Sequence, residues 1–88
     1  MRSIHFTDEA RDDYLYCQGQ QRKTLKRINQ LVESARLTPF EGIGKPEPLK
    51  ASLFSAWSRR IDESNRLVYQ VTDTEIIVVA CRCHYQSE

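Results

Sequence analysis

The chain has 88 residues, of which 40% are hydrophobic and 28% charged, with 13 Lys and Arg against 12 Asp and Glu for a net charge of +1. This supports one modest core, a single domain over 1–88, and excludes a wholly disordered chain; no apolar run approaches a membrane span, and MRSIHFTDEA lacks the apolar core of a signal peptide, so a cytoplasmic protein is expected. Near-neutral charge excludes a globally basic nucleic-acid binder, so any such function must be read from local charge.

Residues 2–6 alternate polar and apolar, which predicts a short strand. Thr7 then offers an N-cap, with Asp8 and Glu9 suited to a helix N-terminus. A helix from about 8 to 18 carries Ala10, Tyr14 and Cys17 along one stripe, and a second from about 21 to 36 carries Leu25, Ile28, Leu31, Val32 and Ala35 at helical spacing. Gly19 between them fits a helical hairpin. Asp8, Glu9, Asp12 and Asp13 crowd the first helix, and Arg22, Lys23, Lys26 and Arg27 the second; each run reads first as a solvated face.

Thr38-Pro39 ends the second helix. From Pro39 to Pro48 the chain holds three prolines and two glycines, so it is a loop, long for so small a domain. Phe40, Ile43 and Leu49 make it too apolar for a free linker, and it is expected as an ordered loop laid across the sheet. Strands follow at about 54–61, 66–72 and 75–83, turning at Asp62-Glu63-Ser64-Asn65 and near Asp73-Thr74. EIIVVAC reads as a central strand buried on both faces. The order β-α-α-β-β-β predicts an α+β fold, an antiparallel sheet with an N-terminal helical hairpin on one face.

The polar residues of the second half bear on chemistry. Cleaving RNA without a metal uses the substrate's 2′-hydroxyl as nucleophile: a base takes its proton, cations stabilise the phosphorane-like charge, and an acid protonates the 5′-oxygen. Glu47 and His84 could serve as base and acid, Lys50, Arg60, Arg66 and Arg82 as phosphate-binding cations, and Tyr85 in stacking or proton relay. Taken singly, most have plainer readings. Glu47 in KPEPLK is a loop charge, His84 an exposed residue, and Arg59-Arg60 one surface and one paired arginine on an edge strand. Arg66 is harder to set aside, since it opens a strand of core residues. Trp57 and Tyr69 read as core rather than as base-stacking platforms.

By the strand period Arg82 and His84 share a face. An odd-numbered connection at Asp73 sets Arg66 opposite Arg82, and an even-numbered one does not; the sequence leaves this register open. Cys81 and Cys83 point to one side of their strand and His84 to the other. With Cys17 they are expected as reduced, partly buried thiols, with no metal and no cofactor.

TPFEGIGKPEPLK (38–50), WSRRI (57–61), RLVYQVTD (66–73) and ACRCHY (80–85), preceded by DDYLYC (12–17), closely resemble the YoeB family within the RelE/ParE superfamily of bacterial toxins. The resemblance implies a microbial-RNase-like fold and an endoribonuclease that cuts mRNA in the ribosomal A site, halting translation. It implies Glu47 as general base, Arg66 as phosphate stabiliser and His84 as general acid, with Lys50, Arg60 and Tyr85 lining the site. The products would be a 2′,3′-cyclic (or 3′) phosphate and a 5′-hydroxyl. It further implies a YefM-type antitoxin as partner and a toxin homodimer. Arg22, Lys23, Lys26 and Arg27 are then expected to contact ribosomal RNA. The chain departs from the family pattern in the tail Gln86-Ser87-Glu88 and in Cys17 and Cys83, where an aromatic is usual. Two rivals stay in view: a ParE-like toxin that binds DNA gyrase without nuclease activity, and a regulatory partner with a degenerate site. The Glu-Arg-His set argues against both.

Overall fold

The computed structural model describes residues 2–49 and 56–83. It contains strand β1 (Ser3–Phe6), helices α1 (Asp8–Gln20) and α2 (Arg22–Leu37), and strands β2 (Glu47–Pro48), β3 (Trp57–Arg60), β4 (Arg66–Val71) and β5 (Glu75–Cys83). The strands form one sheet in the order β1-β5-β4-β3-β2, so the fold is α+β as the sequence implies.

One feature of the sheet differs from expectation, and the cause is β2. The Glu47–Pro48 segment pairs antiparallel with β3, adding one chain reversal to the predicted order. With that reversal β5 runs in the same direction as β1, and the two pair in parallel from Ser3↔Glu75 to Phe6↔Val78. The sheet is therefore mixed. A two-residue strand containing proline carries too little pattern to be read from sequence, and proline is tolerated there because β2 is an edge.

Thr7 ties the first helix to the sheet. Its Oγ1 accepts from the Ala10 N–H at 3.2 Å and donates to the Val79 carbonyl at 3.2 Å, while its own N–H reaches Val78 O. Gly19 does not end α1. The helix continues to Gln20 and breaks at Gln21, whose φ of −140° is non-helical. Glycine weakens a helix interior by about 1 kcal/mol but stops it only where a left-handed turn follows.

α2 buries Ile28, Leu31, Val32 and Ala35 against Leu67, Tyr69, Ile76 and Val78 of the sheet. Fully enclosed aliphatic side chains of this kind contribute roughly 2 kcal/mol each. α1 buries only Ala10 and Cys17, two turns apart, and their small size brings its backbone close to β5. The Cys81 thiol donates to Ala10 O at 3.5 Å, and the Asp13 carboxylate accepts from the Cys81 N–H at 3.2 Å. On β5, Ile76, Val78 and Cys81 are buried and Ile77 and Val79 half-buried, so only one face of this strand meets the helices. The expectation of burial on both faces does not hold, because both helices pack on the same side. Among the described residues no helix is long and apolar enough to cross a membrane.

Burial raises the pKa of Cys17 and of Tyr69 and pushes that of Cys81 up to about 12 from 9.0. The unfolded chain therefore releases these protons at lower pH than the native protein does. Their contribution to stability is complete below about pH 9 and is lost as pH rises towards 12. Urea unfolding at stepped pH should show stability falling through this window, by about 1.4 kcal/mol per pH unit for each group in play. A flat profile between pH 9 and 11 would mean that these side chains reach solvent in the native state.

Candidate active site

The loop between α2 and β2 lies along the edge of β3 rather than across the sheet. Its backbone is left-handed at Gly42 (φ 118°), Gly44 (φ 81°) and Lys45 (φ 51°). A side chain at Gly44 would strike Leu31 Cδ2 at 2.5 Å, so the loop can approach α2 only with glycine there. The Arg60 N–H donates to Gly44 O at 2.7 Å and the Leu49 N–H to Ala56 O at 2.9 Å. Phe40 rests on Trp57 with ring centroids 4.9 Å apart, although Phe40 and Ile43 remain largely exposed.

The loop is fastened from below by Arg59. This arginine is fully buried, and its guanidinium donates to Tyr69 Oη, Ser34 Oγ and the carbonyls of Ile43, Thr38 and Glu41, all between 2.7 and 3.0 Å. Tyr69 in turn donates to Pro39 O at 2.6 Å. Thr38 O and Ser34 lie at the C-terminal end of α2, where helix dipoles favour a cation. The buried charge is thus solvated by carbonyls and hydroxyls. Sequence reading placed Arg59 on an edge strand, but alternation within WSRR carries the missing signal. Trp57 and Arg59 share one face, so a core Trp57 puts Arg59 inward with a requirement for acceptors.

On the opposite face the same alternation brings four polar residues together across three strands. Glu47 lies opposite Ser58, and Arg60 opposite Arg66. Arg66 Nη1 sits 3.1 Å from Glu47 Oε1 and donates to Ser58 Oγ at 3.0 Å. Glu47 is half exposed and Arg66 less so, at 51% and 23% of their side-chain surface. A pair this open contributes little to stability. Two arginines opposite each other cost energy by repulsion, which the Glu47 carboxylate offsets. The turn joining their strands is held by Asp62, whose carboxylate accepts from the backbone N–H groups of Ser64 and Asn65.

Arg82 is not part of this group. The β4–β5 register runs Tyr69↔Val78, Val68↔Ala80, Arg66↔Cys83, with irregularities that shift the pairing twice. Cys83 is therefore the backbone ladder partner of Arg66, and the Arg82 guanidinium lies 3.7 Å above the Tyr16 ring on α1. The period-two argument presupposes an unbroken ladder, which the bulges remove. Lys50, His84 and Tyr85 fall outside the described residues; His84 follows Cys83 directly in the chain. Arg22, Lys23 and Lys26 are exposed on α2, whereas Arg27 is half-buried and donates to Arg60 O at 3.4 Å. A broad groove of about 980 Å³ runs along α2 from Arg22 to Thr38, away from the Glu47–Arg66 cluster.

Residues 6–85 match the family model of the YoeB-like toxin of bacterial type II toxin-antitoxin systems. The chain belongs to that family. The Toxin YoeB of Escherichia coli K12 is 54% identical over 80 residues, covering 91% of this chain and 95% of the relative. The YoeB dimer from Staphylococcus aureus superposes with a TM-score of 0.90 at 44% identity, over 96% of this chain and 98% of that one. The heterotetrameric YoeB-YefM complex from the same organism gives 0.86 at 43% identity, over 97% and 99%. Membership of the YoeB-like toxins thus rests on sequence and fold together, across almost the whole length of both partners.

Proposed function

We propose that this YoeB-like toxin is a metal-independent, ribosome-dependent endoribonuclease that cuts mRNA in the A site and so inhibits translation. The observation that carries this reading is the Glu47–Arg66 pair at 3.1 Å on the accessible face of the sheet. A carboxylate and a guanidinium in contact there supply a proton acceptor and a phosphate ligand within the span of one nucleotide linkage.

In the proposed reaction Glu47 takes the proton of the 2′-hydroxyl. The 2′-oxygen attacks the adjacent phosphorus, and Arg66 neutralises the charge that accumulates on the non-bridging oxygens. The P–O5′ bond breaks, and His84, as the general acid, gives its proton to the leaving 5′-oxygen. The products are a 2′,3′-cyclic phosphate and a 5′-hydroxyl. Arg60, opposite Arg66, adds positive potential for the phosphate, and Lys50 and Tyr85 complete the site. Arg82 acts at a distance, by holding the end of β5 against Tyr16. A site made of acid, base and cations is limited by substrate alignment, and the ribosome supplies that alignment. Arg22, Lys23 and Lys26 form the exposed basic surface for ribosomal RNA, with Arg27 at its inner border. A YefM-like antitoxin neutralises the toxin, and the free toxin forms a homodimer, in line with the Staphylococcus aureus relatives.

The test is primer extension on a defined mRNA with purified ribosomes, beside a ribosome-free control, for wild type and His84→Ala. A cut in the A-site codon that needs ribosomes and disappears with His84→Ala is the expected result. Equal cutting without ribosomes would make this a free ribonuclease. No cutting by a protein still toxic to cells would overturn the nuclease reading in favour of a gyrase-directed toxin.

A further inference from the structure

Ser58 is the one residue of the cluster with no role in the reaction above, and its geometry is unusual for a serine on a strand. It is fully buried, although it lies on the face that carries the half-exposed Glu47. Its Oγ accepts one hydrogen of Arg66 Nη1 at 3.0 Å, and Glu47 Oε1 lies 3.1 Å from the same nitrogen. Ser58 is the hydrogen-bond acceptor of this nitrogen, and Glu47 is paired with it by charge. Among the described residues nothing engages Nε or Nη2 of Arg66. The guanidinium is therefore held by one corner, and its opposite edge is left for an anion that accepts two parallel hydrogen bonds.

We infer that Ser58 is a positioning residue that fixes the Arg66 guanidinium so that its Nε–Nη2 edge meets the scissile phosphate. The inference rests on the nuclease reading for the identity of the anion, and on geometry for the rest. Glu47 alone is a poor anchor for Arg66. As it takes the 2′ proton it becomes neutral, and its attraction for Arg66 weakens while charge is building on the phosphorane. Ser58 does not titrate, so its hold on Nη1 persists through that step. Its burial gives the hydroxyl a fixed direction, and Arg66 needs no reorganisation as the transition state forms. Alanine at this position keeps the backbone ladder and removes only the acceptor.

The test is a cycle of Ser58→Ala, Arg66→Ala and the double variant, read as single-turnover cleavage of ribosome-bound mRNA. Ser58→Ala is expected to slow cleavage by about 10–10²-fold, as a misplaced catalytic group does. In the Arg66→Ala background it should cost nothing further, because a residue that acts through Arg66 has nothing left to position. Cleavage by Ser58→Ala at the wild-type rate, or a loss that multiplies onto that of Arg66→Ala, would overturn the inference. An inert wild type would instead remove the nuclease reading. The positioning claim is then decided by NMR of the arginine side chains, with the backbone amide spectrum as the check on folding. Arg66 should show hindered guanidinium rotation in the wild type and fast rotation in Ser58→Ala. Equal rotation in both proteins would end it.

Discussion

Replacing Arg66 with alanine is expected to lower A-site cleavage by about 10²–10³-fold, the loss that follows removal of one preorganised group from a developing negative charge. Glu47→Ala should fall in a similar range, about 10²–10⁴-fold, by loss of the base. Neither change should unfold the protein. The Glu47–Arg66 pair is half exposed on one side, so it contributes about 1 kcal/mol or less, and the hydrogen bond to Ser58 adds about 1 more. Arg66→Lys should recover little activity, since one ammonium cannot engage Ser58, Glu47 and a phosphate edge together. The measurement is single-turnover cleavage beside thermal melting of the same samples. A large activity loss with a melting point lowered by no more than about 15 °C is the expected outcome. Full activity in Arg66→Ala would sink the assignment of Arg66 to the phosphate. Collapse of the melting transition would show that the pair is structural.

The parts of this molecule legible in its sequence are those set by local periodicity. The stripe from Leu25 to Ala35, the Thr7 cap and the turn at Asp62 depend on residues within a few positions of one another, and they stand where their pattern puts them. The features that were not legible depend on pairings distant in sequence. The two-residue β2 has no period of its own and exists because Gly44 and Leu49 hydrogen-bond at the edge of β3. It adds the chain reversal after which β5 runs parallel to β1. The bulges between β4 and β5 move Arg82 away from Arg66, and nothing in RLVYQV or EIIVVACRC announces them. The chemistry of the candidate site was nameable as residue types, Glu47 and Arg66 among them. Ser58 was not, because a lone serine in a strand has many possible partners and its meaning comes from Arg66 across the ladder.

Arg59 is where the largest effect on folding is expected. Its guanidinium satisfies three loop carbonyls and two hydroxyls, and it bridges the end of α2, the loop and β4. Arg59→Met keeps much of the volume and removes the burial cost of the charge, yet it leaves those acceptors without donors. Glu41 and Ile43 lie in an exposed stretch and can turn to water, whereas Ser34 Oγ and Tyr69 Oη lie deeper and lose their donor, Tyr69 keeping its own hydrogen bond to Pro39 O. With a penalty of about 1–3 kcal/mol for each acceptor that stays dry, the net loss should be about 3 kcal/mol. That is a large share of the stability of a small domain and should lower the melting temperature by about 12–24 °C. Arg59→Lys should be nearly as damaging, since three donors on one nitrogen cannot reach five acceptors spread around a planar fork. Amide exchange separates this effect from a general loosening. The amides of residues 41–45 should lose protection first, ahead of β4 and β5, because the loop is what Arg59 holds. Glu47 hangs from that loop, so cleavage measured well below the new melting temperature should also fall while Arg66 stays in place. A variant that melts within about 4 °C of wild type would mean that water replaces the guanidinium at little cost, and Glu47 would then owe its position to β2 pairing alone.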